Sequence, residues 1–163
     1  GVSEFINAAK ILEKRFGSKF DFELVGHCES DVLSEVNSLT GSISYKGHVQ
    51  DVKPVLSSSD LVVLPSYYPE GVPRILIEAI AMGVPVITTN TDGCRDVIEN
   101  ENGFLVEARN VDALVTAMSQ FGELSAIERV KMGLRGRELA LTKFNVHSNN
   151  RQIIKFLSGF MDQ

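Results

Sequence analysis

Between Val2 and Phe16 the apolar residues Phe5, Ile6, Ala9 and Leu12 recur at three- and four-residue intervals, with polar residues between them. That period predicts an amphipathic helix with one inward face. Phe20 to Val25 reads as a short strand ending at Gly26, and Asp31 to Leu39 as a helix. Ile43 to Lys46 is a strand running into Gly47-His48-Val49, and Asp51 to Ser57 a short helix with an aspartate at its start. Leu61 to Leu64 is continuously apolar and closed by Pro65, the pattern of a strand buried on both faces. A helical stretch around Pro73 to Met82 follows, then a strand at Pro85 to Thr88, a helical turn at Arg95 to Ile98 and a strand at Phe104 to Val106. Helices at Val111 to Phe121, Ser125 to Thr142 and Val146 to Met161 complete the chain. Strands alternating with helices predict an α/β fold, a doubly wound parallel sheet with helices on both faces.

Composition narrows this picture only a little. At 163 residues the chain fits one domain with a full core. Its net charge of −5 argues against a general nucleic-acid surface. No apolar run approaches the roughly 20 residues of a membrane-spanning helix. Cys28 and Cys94 have neither metal-ligand spacing nor the density of a disulfide scaffold, which points to a reducing, cytoplasmic setting. His27 and His48 each follow a strand end, but with no carboxylate or cysteine pattern nearby they make a poor metal site.

The candidate chemistry concentrates in Pro69-Glu70-Gly71-Val72-Pro73-Arg74-Ile75-Leu76-Ile77-Glu78 and the apolar run to Thr88. Val72, Ile75, Leu76, Ala79, Ile80 and Met82 hold a helical period and predict the inward face. Pro73 suits a first helical turn, where its missing N–H is no loss, and Gly71 allows close backbone approach to a ligand. Such a helix start offers free N–H groups and the positive dipole end to a phosphate. Glu70 would stand beside that anion site and Glu78 about two turns further on, where a carboxylate can bind the vicinal hydroxyls of a ribose.

These residues also carry a resemblance. The span Asp60 to Val106 resembles the donor-binding half of the retaining glycosyltransferases of family 4, which have the GT-B fold and a Rossmann-like C-terminal domain. The two glutamates eight positions apart match that family's hallmark. So do Ser59-Asp60-Leu61-Val62-Val63-Leu64-Pro65-Ser66, Gly83-Val84-Pro85-Val86-Ile87-Thr88-Thr89, Gly93-Cys94-Arg95-Asp96 and Asn102-Gly103-Phe104-Leu105-Val106. Glu-Gly-Val-Pro-Arg followed by Gly-Cys-Arg-Asp is similar to bacterial enzymes of O-antigen, capsule and lipid-linked oligosaccharide synthesis.

The resemblance implies residues 1–163 to be the nucleotide-sugar-binding C-terminal domain of a longer enzyme. A strand, an arginine and a lysine would precede Gly1, an N-terminal domain would hold most of the acceptor site, and this chain alone would be inactive. The intact enzyme would move a hexose or N-acetylhexosamine from a UDP-sugar to a saccharide or lipid-linked acceptor. It would need no metal cofactor and would sit in the cytoplasm, with a peripheral membrane location open to it. Glu70 would lie against the transferred sugar as the catalytic group. Gly71, Val72, Pro73, Arg74 and Ile75 would line the donor, Glu78 would bind the ribose, and backbone at Val49 would meet the nucleobase. Gly26 would line the same crevice.

Some assignments stay open on the residues themselves. Arg74 faces either a phosphate or solvent, and Asp51 either helps the donor or caps its helix. Cys94 reads as a small packed residue rather than a nucleophile. Ile153, Ile154, Leu157, Phe160 and Met161 read as core, or as a tail that crosses to the other domain in relatives. Two other functions fit the same residues, a UDP-GlcNAc 2-epimerase-like enzyme on this fold and a non-catalytic nucleotide-binding module. No G-x-G-x-x-G opens a strand–helix unit, which disfavours a dinucleotide oxidoreductase.

Overall fold

The computed structural model describes residues 1–28, 35–36, 41–69 and 71–161. The helix expected at Asp31 to Leu39 therefore lies almost wholly outside the described residues, with Glu35 and Val36 helical. The remaining elements, in chain order, are α1 (Val2–Phe16), β1 (Phe22–Val25), β2 (Ile43–Gly47), α2 (Lys53–Ser58), β3 (Val62–Leu64), α3 (Arg74–Ala81), β4 (Val86–Thr89), β5 (Gly103–Val106), α4 (Val111–Glu123), α5 (Ala126–Lys143) and α6 (Val146–Met161). Short 3₁₀ turns occupy Gly17–Lys19 and Arg95–Val97.

All strand pairings are parallel. β1 pairs with β2, and β3, β4 and β5 form a second group with β4 in the middle. Val62, Val63 and Leu64 stand opposite Val86, Ile87 and Thr88, which in turn face Gly103, Phe104 and Leu105. β4 is buried at all four positions, and its side chains alternate between two cores. Ile87 joins Phe5, Leu12, Phe22, Ile43, Leu114 and Met118, beneath α1 and α4. Val86 joins Leu76, Ile80, Val97 and Leu139, beneath α3 and α5. Helices thus cover both faces, as the alternating pattern requires.

Three local expectations change. β3 is half-buried rather than buried on both faces, because it is the outer strand of its group and only β4 flanks it. Met82, expected inward, is 38% exposed: it is the C-cap of α3, where the chain leaves the helical path into Gly83 at φ 77°. The apolar residues Ile153, Ile154 and Leu157 of α6 are exposed, not core. The helix ends are otherwise specified locally. Asn110 caps α4 by accepting the Ala113 N–H at 2.9 Å, and Ser125 with Glu128 closes a reciprocal capping box on α5.

One contact marks the edge where ligands of such sheets bind. Gly1, the N-cap of α1, lies so close to Pro65 that an added Cβ would fall 2.1 Å from the Pro65 carbonyl oxygen. The start of α1 therefore abuts the carboxyl end of β3.

Candidate donor-binding site

The sequence-predicted residues follow strand ends, one group after β3 and the other after β1 and β2. β3 ends at Leu64, and residues 65–69 and 71–73 lie between it and α3. Buried threonines of β4 hold the beginning of that segment. The Thr88 hydroxyl donates to the Leu64 carbonyl at 2.8 Å, and the Thr89 hydroxyl donates to the Ser66 carbonyl. Thr89 Oγ1 also lies 3.1 Å from Thr91 Oγ1. A pair of threonines closing a buried strand was the signal for this fastening, and the sequence reading passed over it.

Pro73 is one position earlier than expected. It is the buried N-cap of α3, not part of the first turn, and its carbonyl accepts the Leu76 and Ile77 N–H groups at 3.1 and 3.3 Å. Arg74 and Ile75 begin the helix, where N–H groups have no acceptor within the helix. Gly71 is exposed and Val72 half-buried just before them. The helix is held in place by Leu76, Ala79 and Ile80, all fully buried, and by Cys94 packed in the same core. The packed reading of Cys94 stands. Glu70, the candidate catalytic residue, lies outside the described residues.

Glu78 is about 39% exposed at its side chain and pairs with Arg74 at 3.3 Å, one helical turn earlier. The Arg74 side chain is 91% exposed. The open question at Arg74 resolves into a solvent-facing guanidinium that reaches the Glu78 carboxylate.

The other candidates sit at the ends of β1 and β2. Gly26 has φ 134°, donates its N–H to the Gly47 carbonyl at 2.9 Å and accepts the Tyr45 hydroxyl at 2.9 Å. An added Cβ there would meet nothing within 4 Å, so the glycine borders open space. Val49 is half-buried and Asp51 exposed. The Asp51 carboxylate accepts the Lys53 N–H at 3.0 Å, an Asx turn just ahead of α2, whose N-cap is Val52 and not Asp51 as the capping alternative expected. Sequence reasoning also missed an aromatic rim. Tyr67 and Tyr68 lie 4.7 Å apart by ring centroid, with the Arg109 guanidinium 4.4 Å above Tyr67.

Among the described residues no three His, Cys, Asp or Glu side chains come together as a metal ion would require. A hollow of about 130 Å³ lined by Glu99, Arg135, Glu138 and Thr142 lies at the opposite edge, where β5 begins, and takes no part in this arrangement. What these strand ends offer is a helix start whose first N–H groups have no acceptor within the helix, a carboxylate one turn along at Glu78, and backbone beside Gly26 and Gly47.

Known proteins share both sequence and fold with this chain. The family described as glycosyl transferases group 1 matches residues 1–123. An Escherichia coli relative, UDP-Gal:alpha-D-GlcNAc-diphosphoundecaprenol alpha-1,3-galactosyltransferase, is 32% identical over 99 residues, covering 60% of this chain and 25% of its own. The crystal structure of Anabaena HepE in complex with UDP superposes with a TM-score of 0.84 at 22% identity, over 98% of this chain and 45% of that one. The C-terminal domain of the group 1 protein LpcC from Francisella tularensis does so at 0.75 and 24% identity, over 90% of this chain and 80% of that one. The chain spans less than half the length of the curated relatives it matches. On the family match and the shared fold, this chain belongs to the glycosyl transferases group 1 family and has the fold of the C-terminal domain of GT-B glycosyltransferases.

Proposed function

We propose that this domain holds the nucleotide-sugar donor, a UDP-sugar, for a retaining glycosyltransferase that moves a hexose or N-acetylhexosamine to a saccharide or lipid-linked acceptor. The observation that carries the reading is the start of α3. Its first-turn N–H groups stand at the carboxyl edge of the strands, with the Glu78 carboxylate further along the same helix. The diphosphate binds the N–H groups of Arg74 and Ile75 and the helix dipole, with Gly71 allowing close approach. Glu78 takes the ribose hydroxyls, and backbone at Val49 meets the base. Glu70 lies against the transferred sugar and steadies the oxocarbenium-like transition state. No metal is required, since helix ends and basic side chains neutralise the diphosphate.

The crystal structure of HepE with UDP and the activity of the Escherichia coli galactosyltransferase support a uridine nucleotide and an acceptor carried on a lipid diphosphate. The acceptor docks mainly on an N-terminal domain, and transfer takes place in the cytoplasm at or near the membrane face. No helix among the described residues is long and apolar enough to cross a membrane.

The test is an NMR titration of this chain with UDP and UDP-GlcNAc, alongside Glu78→Ala. The expected result is saturable shifts at Val49, Gly71 to Ile75 and Glu78, with affinity in the variant lowered by about tenfold or more, as a lost charged hydrogen bond implies. Equal affinity in the variant, or no shifts at saturating UDP, refutes the assignment.

A further inference from the structure

We propose that His27 and His48 form a stacking clamp for the nucleobase of the bound nucleotide, an inference that rests on the donor-site reading above. The two imidazoles lie parallel, with ring centroids 4.5 Å apart and planes 12° from each other. They extend from neighbouring strands, β1 and β2, each one residue past a glycine that ends the strand. Their separation is close to the roughly 4.7–4.9 Å between paired strands, so the stack runs across the sheet from strand to strand. Both side chains are exposed, so burial does not align them. The backbone does. The Gly26 N–H bonds the Gly47 carbonyl at 2.9 Å, and Tyr45 fastens the Gly26 carbonyl from below. Gly26 at φ 134° and Gly47 at φ 70° take backbone shapes that L side chains rarely adopt, and these set where the following histidines go.

A rigid pair of flat rings on an exposed rim is a π surface made ready before any ligand arrives. A flat heteroaromatic ring adds to it as a third layer, in the offset geometry that ring quadrupoles favour. The pair flanks the backbone at Val49, at the carboxyl ends of strands where nucleotides of such sheets lie. Metal binding is the other use of two histidines, and it lacks a third ligand among the described residues. The ligand class assigned to the pair is thus the base of a nucleoside diphosphate, not its sugar or phosphates.

The test separates the base from the rest of the nucleotide. The chain and its variants His27→Ala, His48→Ala and His48→Phe are titrated by NMR with UDP and with ribose 5-diphosphate, which lacks the base. The alanine variant of the ring that the base covers is expected to lose about tenfold in UDP affinity, the size of one base–ring stack, the other variant less, and both to keep their affinity for ribose 5-diphosphate. His48→Phe keeps UDP binding, and the His27 and His48 Hε1 signals move upfield with UDP only. Unchanged UDP affinity in both alanine variants overturns the clamp and leaves the donor-site reading standing. Equal losses for both ligands also overturn it, by making the histidines merely structural. Failure of the unaltered chain to bind either ligand overturns the donor-site reading, and the clamp with it.

Discussion

Gly133→Ala would strike the contact that seats the donor helix. Gly133, on α5, faces the turn that ends α3. A Cβ built at Gly133 falls 2.0 Å from the Gly83 carbonyl oxygen and 3.0 Å from its carbon. Real Cβ contacts essentially never lie under 3.0 Å, so α5 must withdraw from α3 by roughly 1 Å, or Gly83 must rotate its peptide. Neither partner is a flexible side chain. Overpacking of this kind costs about 1–3 kcal/mol, and a clash with backbone belongs at the upper end. Replacing a mid-helix glycine by alanine returns about 1 kcal/mol of helix propensity. The net expectation is a loss of about 2 kcal/mol.

Gly136→Ala on the same helix is the control. Its Cβ would meet Ile80 Cβ at 3.3 Å and Cγ2 at 3.4 Å, a contact that small shifts absorb. It gains the same propensity, so the difference between the two variants isolates the clash. With an m-value of about 2 kcal/mol/M, a clash of about 3 kcal/mol should place the urea midpoint of Gly133→Ala about 1.5 M below that of Gly136→Ala. The displaced α3 should also bind UDP more weakly. If Gly133→Ala unfolds at or above the Gly136→Ala midpoint, the α3–α5 contact does not set the position of the donor helix.

Other perturbations test separate parts of the molecule. Asn102 is fully buried, accepts the Glu99 N–H at 2.8 Å and donates to the Val97 carbonyl at 2.7 Å, so Asn102→Ala should lower unfolding free energy by about 2–3 kcal/mol in urea titrations. Glu13 accepts the Ser42 N–H at 2.7 Å and its hydroxyl at 2.8 Å, and the backbone bond first, then the hydroxyl, lowers its pKa below the usual 4.5. A lowered folded value means stabilisation that is full above pH 4.5 and lost as pH falls through it, so the Tm gap between the protein and Glu13→Gln should close on acidification below 4.5. Arg74→Ala should leave Tm unchanged or slightly raised while weakening UDP binding about tenfold by calorimetry. Unchanged affinity would reduce Arg74 to a tether for Glu78.

Much of this was legible because the period of the apolar residues maps directly onto burial. Leu76, Ala79 and Ile80 repeat at helical spacing and are all fully buried, and Val86 to Thr89 carries no charge and lies wholly inside. Caps read well too, since Ser125 and Glu128 act through neighbours three residues away. Properties that depend on distant partners did not read. β3 has the composition of a central strand, yet its burial is set by what stands beside it, which its own residues do not encode. The His27–His48 stack joins residues 21 positions apart through strand register, and the Arg109–Tyr67 contact joins two loops. Asp51 read as a helix cap or a donor contact, but the helix begins one residue later than a cap at Asp51 needs, and the carboxylate closes the turn ahead of Val52 instead.

The placement of Arg74 is itself an argument about the site. A cation in the first turn of a helix opposes the macrodipole, at a cost of about 0.3–1 kcal/mol. Its pairing with Glu78 runs in the less favourable order, with the cation on the N-terminal side. At 91% exposure the Arg74 side chain gains little from packing. Nothing in the stability of α3 therefore accounts for an arginine there. On the proposed donor site, an anion at the helix start would reverse the sign: the guanidinium would meet the charge that the dipole and free N–H groups also attract, and Glu78 would be released toward the ribose. The Arg74–Glu78 pair would then be the resting form of two groups whose favourable partners arrive together on one nucleotide.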